Sequence, residues 1–213
     1  MRKLVVTTFV SMDGVMQAPG GPDEDRSGGF RYGGWVVPHF DDSTGGQMVA
    51  WFSAAEDFLL GRGTYEIFAS FWPQAPTEND PISAALNAKT KHVASRTLTS
   101  VDWTGARLLE GEVGDAVRKL KETDGGELQV HGSAGLIQTL LAEDLIDELR
   151  LIVFPVTLGE GKRLFGEGTP ARTWRLTSST AGDTGVLMAT YERVGALETG
   201  EVTLETAASP TAS

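Results

Sequence analysis

Residues 57–68 read Asp57-Phe58-Leu59-Leu60-Gly61-Arg62-Gly63-Thr64-Tyr65-Glu66-Ile67-Phe68, and the change of pattern inside this stretch decides the fold class. Phe58, Leu59 and Leu60 are apolar without alternation, as in a strand buried on both faces. Tyr65, Phe68, Ala69 and Trp72 follow at once with helical spacing. A buried strand therefore hands over to a helix through Gly61-Arg62-Gly63-Thr64. The first turn of a helix has unpaired backbone N–H groups at the positive end of its dipole, and Gly61 and Gly63 let a ligand approach the backbone. Arg62 and the Thr64 hydroxyl add a fixed charge and a hydrogen bond suited to a phosphate. An ordinary strand-to-helix turn with a solvated arginine reads the same residues, because short glycine motifs are weak signals.

Two further junctions of this kind follow. Lys91-His92-Val93-Ala94 reads as a strand that ends in Ser95-Arg96-Thr97, a hydroxyl and a guanidinium placed for another phosphate. Leu128-Gln129-Val130-His131 alternates as a strand, and Gly132-Ser133-Ala134-Gly135 then opens a helix through Leu136, Ile137, Leu140 and Leu141. Ser133 is the expected N-cap there, and Gly132 and Gly135 clear room for a pyrophosphate over the helix end. The spacing is not that of the Rossmann dinucleotide fingerprint, and no acidic residue stands at its later position, so an ordinary Rossmann assignment fails. Gly161-Lys162 does not make a P-loop either. Val156 stands where the first glycine belongs, and Arg163 where a Ser or Thr must bind magnesium.

Around these junctions the pattern alternates strand and helix and then turns to strands. Residues 1–10, a basic start followed by apolar residues, read as a buried first strand. Residues 16–38 form a long loop rich in glycine, expected to be a mobile flap over a site because ordering so much chain without a core is costly. In that loop Tyr32 and Trp35 offer flat apolar surface to a planar substrate, or pin the loop to the core. Asp41-Asp42-Ser43-Thr44 caps a helix running to about residue 54, and Asp80-Pro81 starts another. A short strand at 106–109 and an amphipathic helix at 114–121 precede late strands at 148–156, 173–179 and 186–193. The reading divides the chain into a domain over 1–194 and a small, polar tail over 195–213, with a candidate edge strand at 201–204. Alternation followed by late antiparallel strands gives an α/β class with a mixed central sheet flanked by helices.

Composition narrows the function. Eighteen Lys and Arg against 29 Asp and Glu give a formal net charge of −11, which disfavours nucleic acid and anionic lipid as partners. The chain has no cysteine, which removes disulfides, thiolate catalysis and cysteine-based zinc sites, and its three histidines are scattered, so no metal site is expected. The N-terminal apolar run is short, β-branched and without a cleavage site, so a cytoplasmic protein is expected. No stretch approaches the length of a membrane-spanning helix.

The pieces Ser11-Met12-Asp13-Gly14, Gly61 to Glu66, Ser95-Arg96, Val130 to Gly135 and Pro155 to Phe165, in this order and spacing, resemble the dihydrofolate reductase superfamily. The closest resemblance is to the reductase domain of the bifunctional riboflavin-pathway deaminase-reductase, and it covers about residues 3–193. It implies NADPH as cofactor, with Gly61, Arg62, Gly63, Thr64, Ser95 and Arg96 at the adenosine 2′-phosphate and Gly132, Ser133, Ala134 and Gly135 at the diphosphate. It also implies a homodimer and a small heterocyclic substrate akin to 5-amino-6-(5-phosphoribosylamino)uracil. Two guanidiniums agree with an extra phosphate. The zinc-dependent deaminase partner is excluded by the lack of cysteine.

The proton source matches the family poorly. The position of the dihydrofolate reductase carboxylate falls near Gly45, leaving Asp41 upstream and Asp13 beside the first strand as catalytic candidates, with capping or turn formation as the competing role for each. That departure argues against true folate reduction, and three readings follow: an NADPH-dependent reductase of a small planar heterocycle, with a true dihydrofolate reductase as an alternative to it; a nucleotide-binding module or sensor without turnover; and a structural protein.

Overall fold

The computed structural model describes residues 1–202. In chain order the elements are β1 (Leu4–Ser11), α1 (Asp42–Ala54), β2 (Ala55–Gly61), α2 (Arg62–Phe71), α3 (Pro81–Ala88), β3 (Thr90–Ala94), β4 (Ala106–Leu108), α4 (Val113–Glu122), β5 (Glu127–His131), α5 (Ala134–Ala142), β6 (Glu148–Phe154), β7 (Arg172–Ala181) and β8 (Leu187–Ala196). The strands form one eight-stranded sheet in the order β4-β3-β2-β5-β1-β6-β8-β7. From β4 to β6 neighbouring strands run parallel, whereas β8 is antiparallel to β6 and β7 to β8. The class is α/β with a mixed central sheet, as the alternation predicts.

Burial explains why the central strands are apolar at consecutive positions. Side chains alternate across the pleat, so Phe58 and Leu60 enter one core while Leu59 between them enters the other, and all three are fully buried. Each contributes about 1.5–3 kcal/mol by leaving water. The first core lies beneath α1, α2 and α3 through Trp51, Phe52, Tyr65 and Leu86. The second lies beneath α4 and α5 through Val117, Ile137 and Leu140. Helix starts follow the expected chemistry: the Asp41 carboxylate accepts from Thr44 N at 2.8 Å, and Asp80 accepts from Ile82 N and Ser83 N with Pro81 at the first helical position.

Three expectations meet a different outcome. The loop over 16–38 is packed rather than free: Ala18, Phe30, Trp35 and Val36 are buried, and the Gln17 amide holds Asp25 O and Ser27 O. Two ion pairs, Lys162–Asp25 at 2.6 Å and Arg31–Glu160 at 3.3 Å, strap it to the segment after β6. Strand β8 continues to Ala196, past the expected end of the strand at 193. Of the edge strand expected at 201–204, residues 201 and 202 have no regular structure and the rest lies outside the described residues. No helix among the described residues is long and apolar enough to cross a membrane.

Candidate functional site

Parallel strands deliver their following turns to one edge of the sheet, so the turns after β3, β2 and β5 are neighbours in space although far apart in sequence. Register brings them level. Gly61 at the end of β2 pairs with Ala94 at the end of β3, and Leu59 pairs with Val130, so 61–64, 95–97 and 132–135 emerge side by side.

Contacts between the turns are direct. Arg62 Nη1 donates to Thr97 Oγ1 at 3.1 Å, and the Gly61 amide donates to Ser133 Oγ at 2.9 Å. A Cβ on Gly132 would lie 3.7 Å from Thr64 Oγ1, which brings the first and third turns into contact a second time. The Ser95 hydroxyl accepts from Thr97 N and Leu98 N, closing its turn and leaving Arg96 pointing outward. Arg96 is exposed and makes no side-chain hydrogen bond or ion pair among the described residues. Arg62 is half exposed, with Glu66 3.8 Å away as a loose partner.

This ensemble fits a phosphorylated dinucleotide. Neither α2 nor α5 has a side-chain N-cap, so first-turn amides of two adjacent helices are left for a ligand. A Cβ on Gly63 or Gly135 would meet nothing within 4 Å, so space over both turns is open. Gly61, by contrast, is needed for close approach, since a Cβ there would come within 3.2 Å of Ser133. The expected cap at Ser133 is not made. Ser133 has left-handed backbone angles (φ 68°, ψ 62°), and its hydroxyl turns away from its own helix toward Gly61.

The candidates on the substrate side are placed differently. Trp35 is 7% exposed, stands edge-on to Phe154, and donates its indole N–H to Gln17 O at 2.8 Å, so it pins the loop from inside the core. Tyr32 stays at the surface, packed edge-on against Phe30.

Asp41 is the N-cap of α1. It accepts from the Ser43 hydroxyl, from the Thr44 amide and hydroxyl, and from the Thr184 amide and hydroxyl. These donors, Thr44 first, hold its carboxyl far below the ordinary range. Asp13 accepts from the Ser11 hydroxyl at 2.6 Å and from the amides of Leu158 and Gly159, and its pKa is drawn down to about 2, chiefly by Ser11. Both carboxylates are anionic acceptors at neutral pH, tying loops together, and neither has a proton to give.

A feature not singled out from the sequence lies just beneath the third turn. His131 stacks on Phe52 with ring centroids 3.9 Å apart, and its Nε2 is 2.9 Å from Gln129 Oε1. Gln129 donates in turn to Trp51 O and to Glu127, so the amide oxygen is left to accept and the imidazole carries its proton on Nε2. Burial, with nearby Arg150, pushes the His131 pKa down to about 3. Its signal in the sequence is faint: a histidine on the inward face of a strand otherwise reads as one more alternating residue.

The chain is 25% identical over 192 residues to the uncharacterized protein YyaP of Bacillus subtilis (strain 168), spanning 89% of this chain and 94% of that protein. A candidate riboflavin biosynthesis protein from Shewanella sp. PV-4 superposes with a TM-score of 0.64 at 23% identity, over 90% of this chain and 99% of that one. Dihydrofolate reductase from Enterococcus faecalis, solved with NADP(H), gives 0.57 at 15% identity over 90% and 96%. These two likenesses establish a dihydrofolate reductase-like fold. The RibD C-terminal domain model matches residues 2–188, and with nearly the whole sheet inside that match the chain belongs to the RibD C-terminal domain family.

Proposed function

We propose that the protein is an NADPH-dependent reductase of a small, planar heterocyclic substrate, related by descent to 5-amino-6-(5-phosphoribosylamino)uracil reductase. The observation that carries this reading is the contact of three separate turns at one sheet edge, with Arg62 reaching Thr97 and Gly61 reaching Ser133. The order of the strands gives the dinucleotide a direction. Arg62 and Arg96 take the adenosine 2′-phosphate over β2 and β3, the amides of 132–135 take the diphosphate over β5, and the reacting end then lies toward β1 and β6. When bound, NADPH supplies the hydride.

The protein's own part is to grip, orient and shield. Asp13 and Asp41 are held ionised by their hydrogen-bond donors, so neither is assigned as the source of the proton that accompanies hydride transfer. Bases beside the reacting end are already matched: Arg26 with Asp23, Arg31 with Glu160, Lys162 with Asp25 and Arg163 with Asp13. That pairing favours a substrate without a phosphate of its own, with Tyr32 as a flat surface for it. Homodimerisation belongs to the same reading and is checked by light scattering.

Calorimetric titration with NADPH and NADH tests the proposal, followed by loss of NADPH absorbance with oxidised pterins, aminopyrimidines and quinones. NADPH is expected to bind at least about tenfold more tightly than NADH, as one charge-assisted contact supplies that much. Equal affinities contradict the assignment of Arg62 and Arg96. Tight NADPH binding with no oxidation across the panel favours a binding module.

A further inference from the structure

Ser133 occupies a backbone conformation that residues with a side chain adopt rarely, and it follows Gly132, which is also left-handed at φ 61°. Glycine would fit position 133 with less strain. What serine adds is its hydroxyl, and that hydroxyl accepts from the Gly61 amide at 2.9 Å, 72 positions away in sequence. Gly61 is the N-cap residue of α2, directly before Arg62. A Cβ at Gly61 would lie 3.2 Å from Ser133 and 3.4 Å from Leu136 Cβ, so the two turns are in van der Waals contact as well as hydrogen-bonded. Ser133 Oγ donates to no group among the described residues, so its proton is left for an acceptor outside the chain.

We infer that Ser133 is a positioning residue that fixes the spacing between the 2′-phosphate turn at 61–64 and the diphosphate turn at 132–135, and so sets the preference for NADPH over NADH. The inference rests on the cofactor reading above. The hydroxyl takes the Gly61 N–H on one side and offers its own proton to a diphosphate oxygen on the other, and each bond polarises the other. Arg62 is thereby held at a set distance from the diphosphate. Without the bond the 61–64 turn shifts, and the guanidinium loses its line to the 2′-phosphate, which tolerates little misplacement.

Two variants separate this role from a purely structural one. Ser133→Ala removes the hydroxyl and keeps the strained Cβ, while Ser133→Gly removes both. If the hydroxyl positions the turns, both variants bind NADPH about tenfold more weakly, the NADPH-to-NADH affinity ratio falls at least threefold in both, and only Ser133→Ala melts clearly below the wild type. Wild-type affinity in Ser133→Gly, or equal weakening of NADPH and NADH in both variants, overturns the inference and leaves the cofactor reading standing. Failure of the wild-type chain to bind either dinucleotide removes both.

Discussion

The edge where the parallel strands begin and the turns after β2, β3 and β5 at the opposite edge treat charge in different ways. At the edge where the strands begin, ionic groups are matched and shielded: Arg2 with Asp57 at 2.8 Å, Arg150 with Glu127 and Glu148 at 2.7 Å, and Lys121 with Asp147. The side chains of Arg2, Arg150 and Lys121 are each less than a tenth exposed. Over β2, β3 and β5 at the edge where the strands end, Arg96 has no partner among the described residues, Arg62 has the Thr97 hydroxyl and Glu66 at 3.8 Å, and α2 and α5 start without side-chain caps. Charge that is already matched holds the fold together. Exposed guanidiniums beside uncapped helix starts remain available to an anionic ligand.

That contrast breaks if mutations at the two edges have similar consequences. The largest effect is expected from Arg62→Ala combined with Arg96→Ala: NADPH affinity falls by about 100-fold or more, since each charge-assisted bond is worth ~1.5–3 kcal/mol, while NADH affinity and the urea midpoint barely move. Calorimetry with the two dinucleotides beside urea denaturation reads all three quantities.

Asp57→Ala should do the reverse. It strands Arg2 among buried groups, and His92, whose Nε2 is 3.4 Å from the same carboxylate, loses its partner as well. Breaking such a pair costs about 3 kcal/mol, and it should appear in urea denaturation with NADPH affinity intact. A variant that unfolds little but binds poorly would place the cofactor at the wrong edge.

Acid sharpens the comparison, because His131 lies beneath the ligand edge yet serves stability. Its folded pKa of about 3 lies below the ordinary 6.5, so between these values the unfolded chain binds the extra proton. Stability from this group is whole above about pH 6.5 and is lost as pH falls toward 3, at up to ~1.4 kcal/mol per unit. Urea midpoints at a series of pH values should show that slope, and His131→Phe should flatten it. An unchanged slope would mean that His131 is protonated in the folded chain.

The smallest effect concerns Asp41. Asn caps a helix nearly as well as Asp, so Asp41→Asn should leave turnover within about twofold and should not alter its pH profile. Loss of an acidic limb from the profile would restore Asp41 as a proton donor.

Much of this was legible from local pattern. The run Phe58-Leu59-Leu60 before Gly61, the alternation before Gly132, and the Asp80-Pro81 start all report neighbours in sequence, and the elements formed where those patterns stood. The matched edge was not legible, because its partners lie far apart in the chain, as Arg2 does from Asp57 and Lys121 from Asp147. The role of Ser133 was hidden for another reason. A serine before a helix reads as a cap, and only the left-handed backbone turns its hydroxyl toward Gly61. Trp35 was open to two readings that sequence does not separate, since an aromatic in a glycine-rich loop is equally at home facing a ligand or the core.

The most direct measurement is a crystal structure of the full chain soaked with NADPH. The 2′-phosphate is expected between Arg62 and Arg96 and the diphosphate over 132–135, with the nicotinamide toward β1. A dinucleotide bound elsewhere, for instance in the hollow of about 240 Å³ beside Phe165, Arg172 and Trp174, would contradict it.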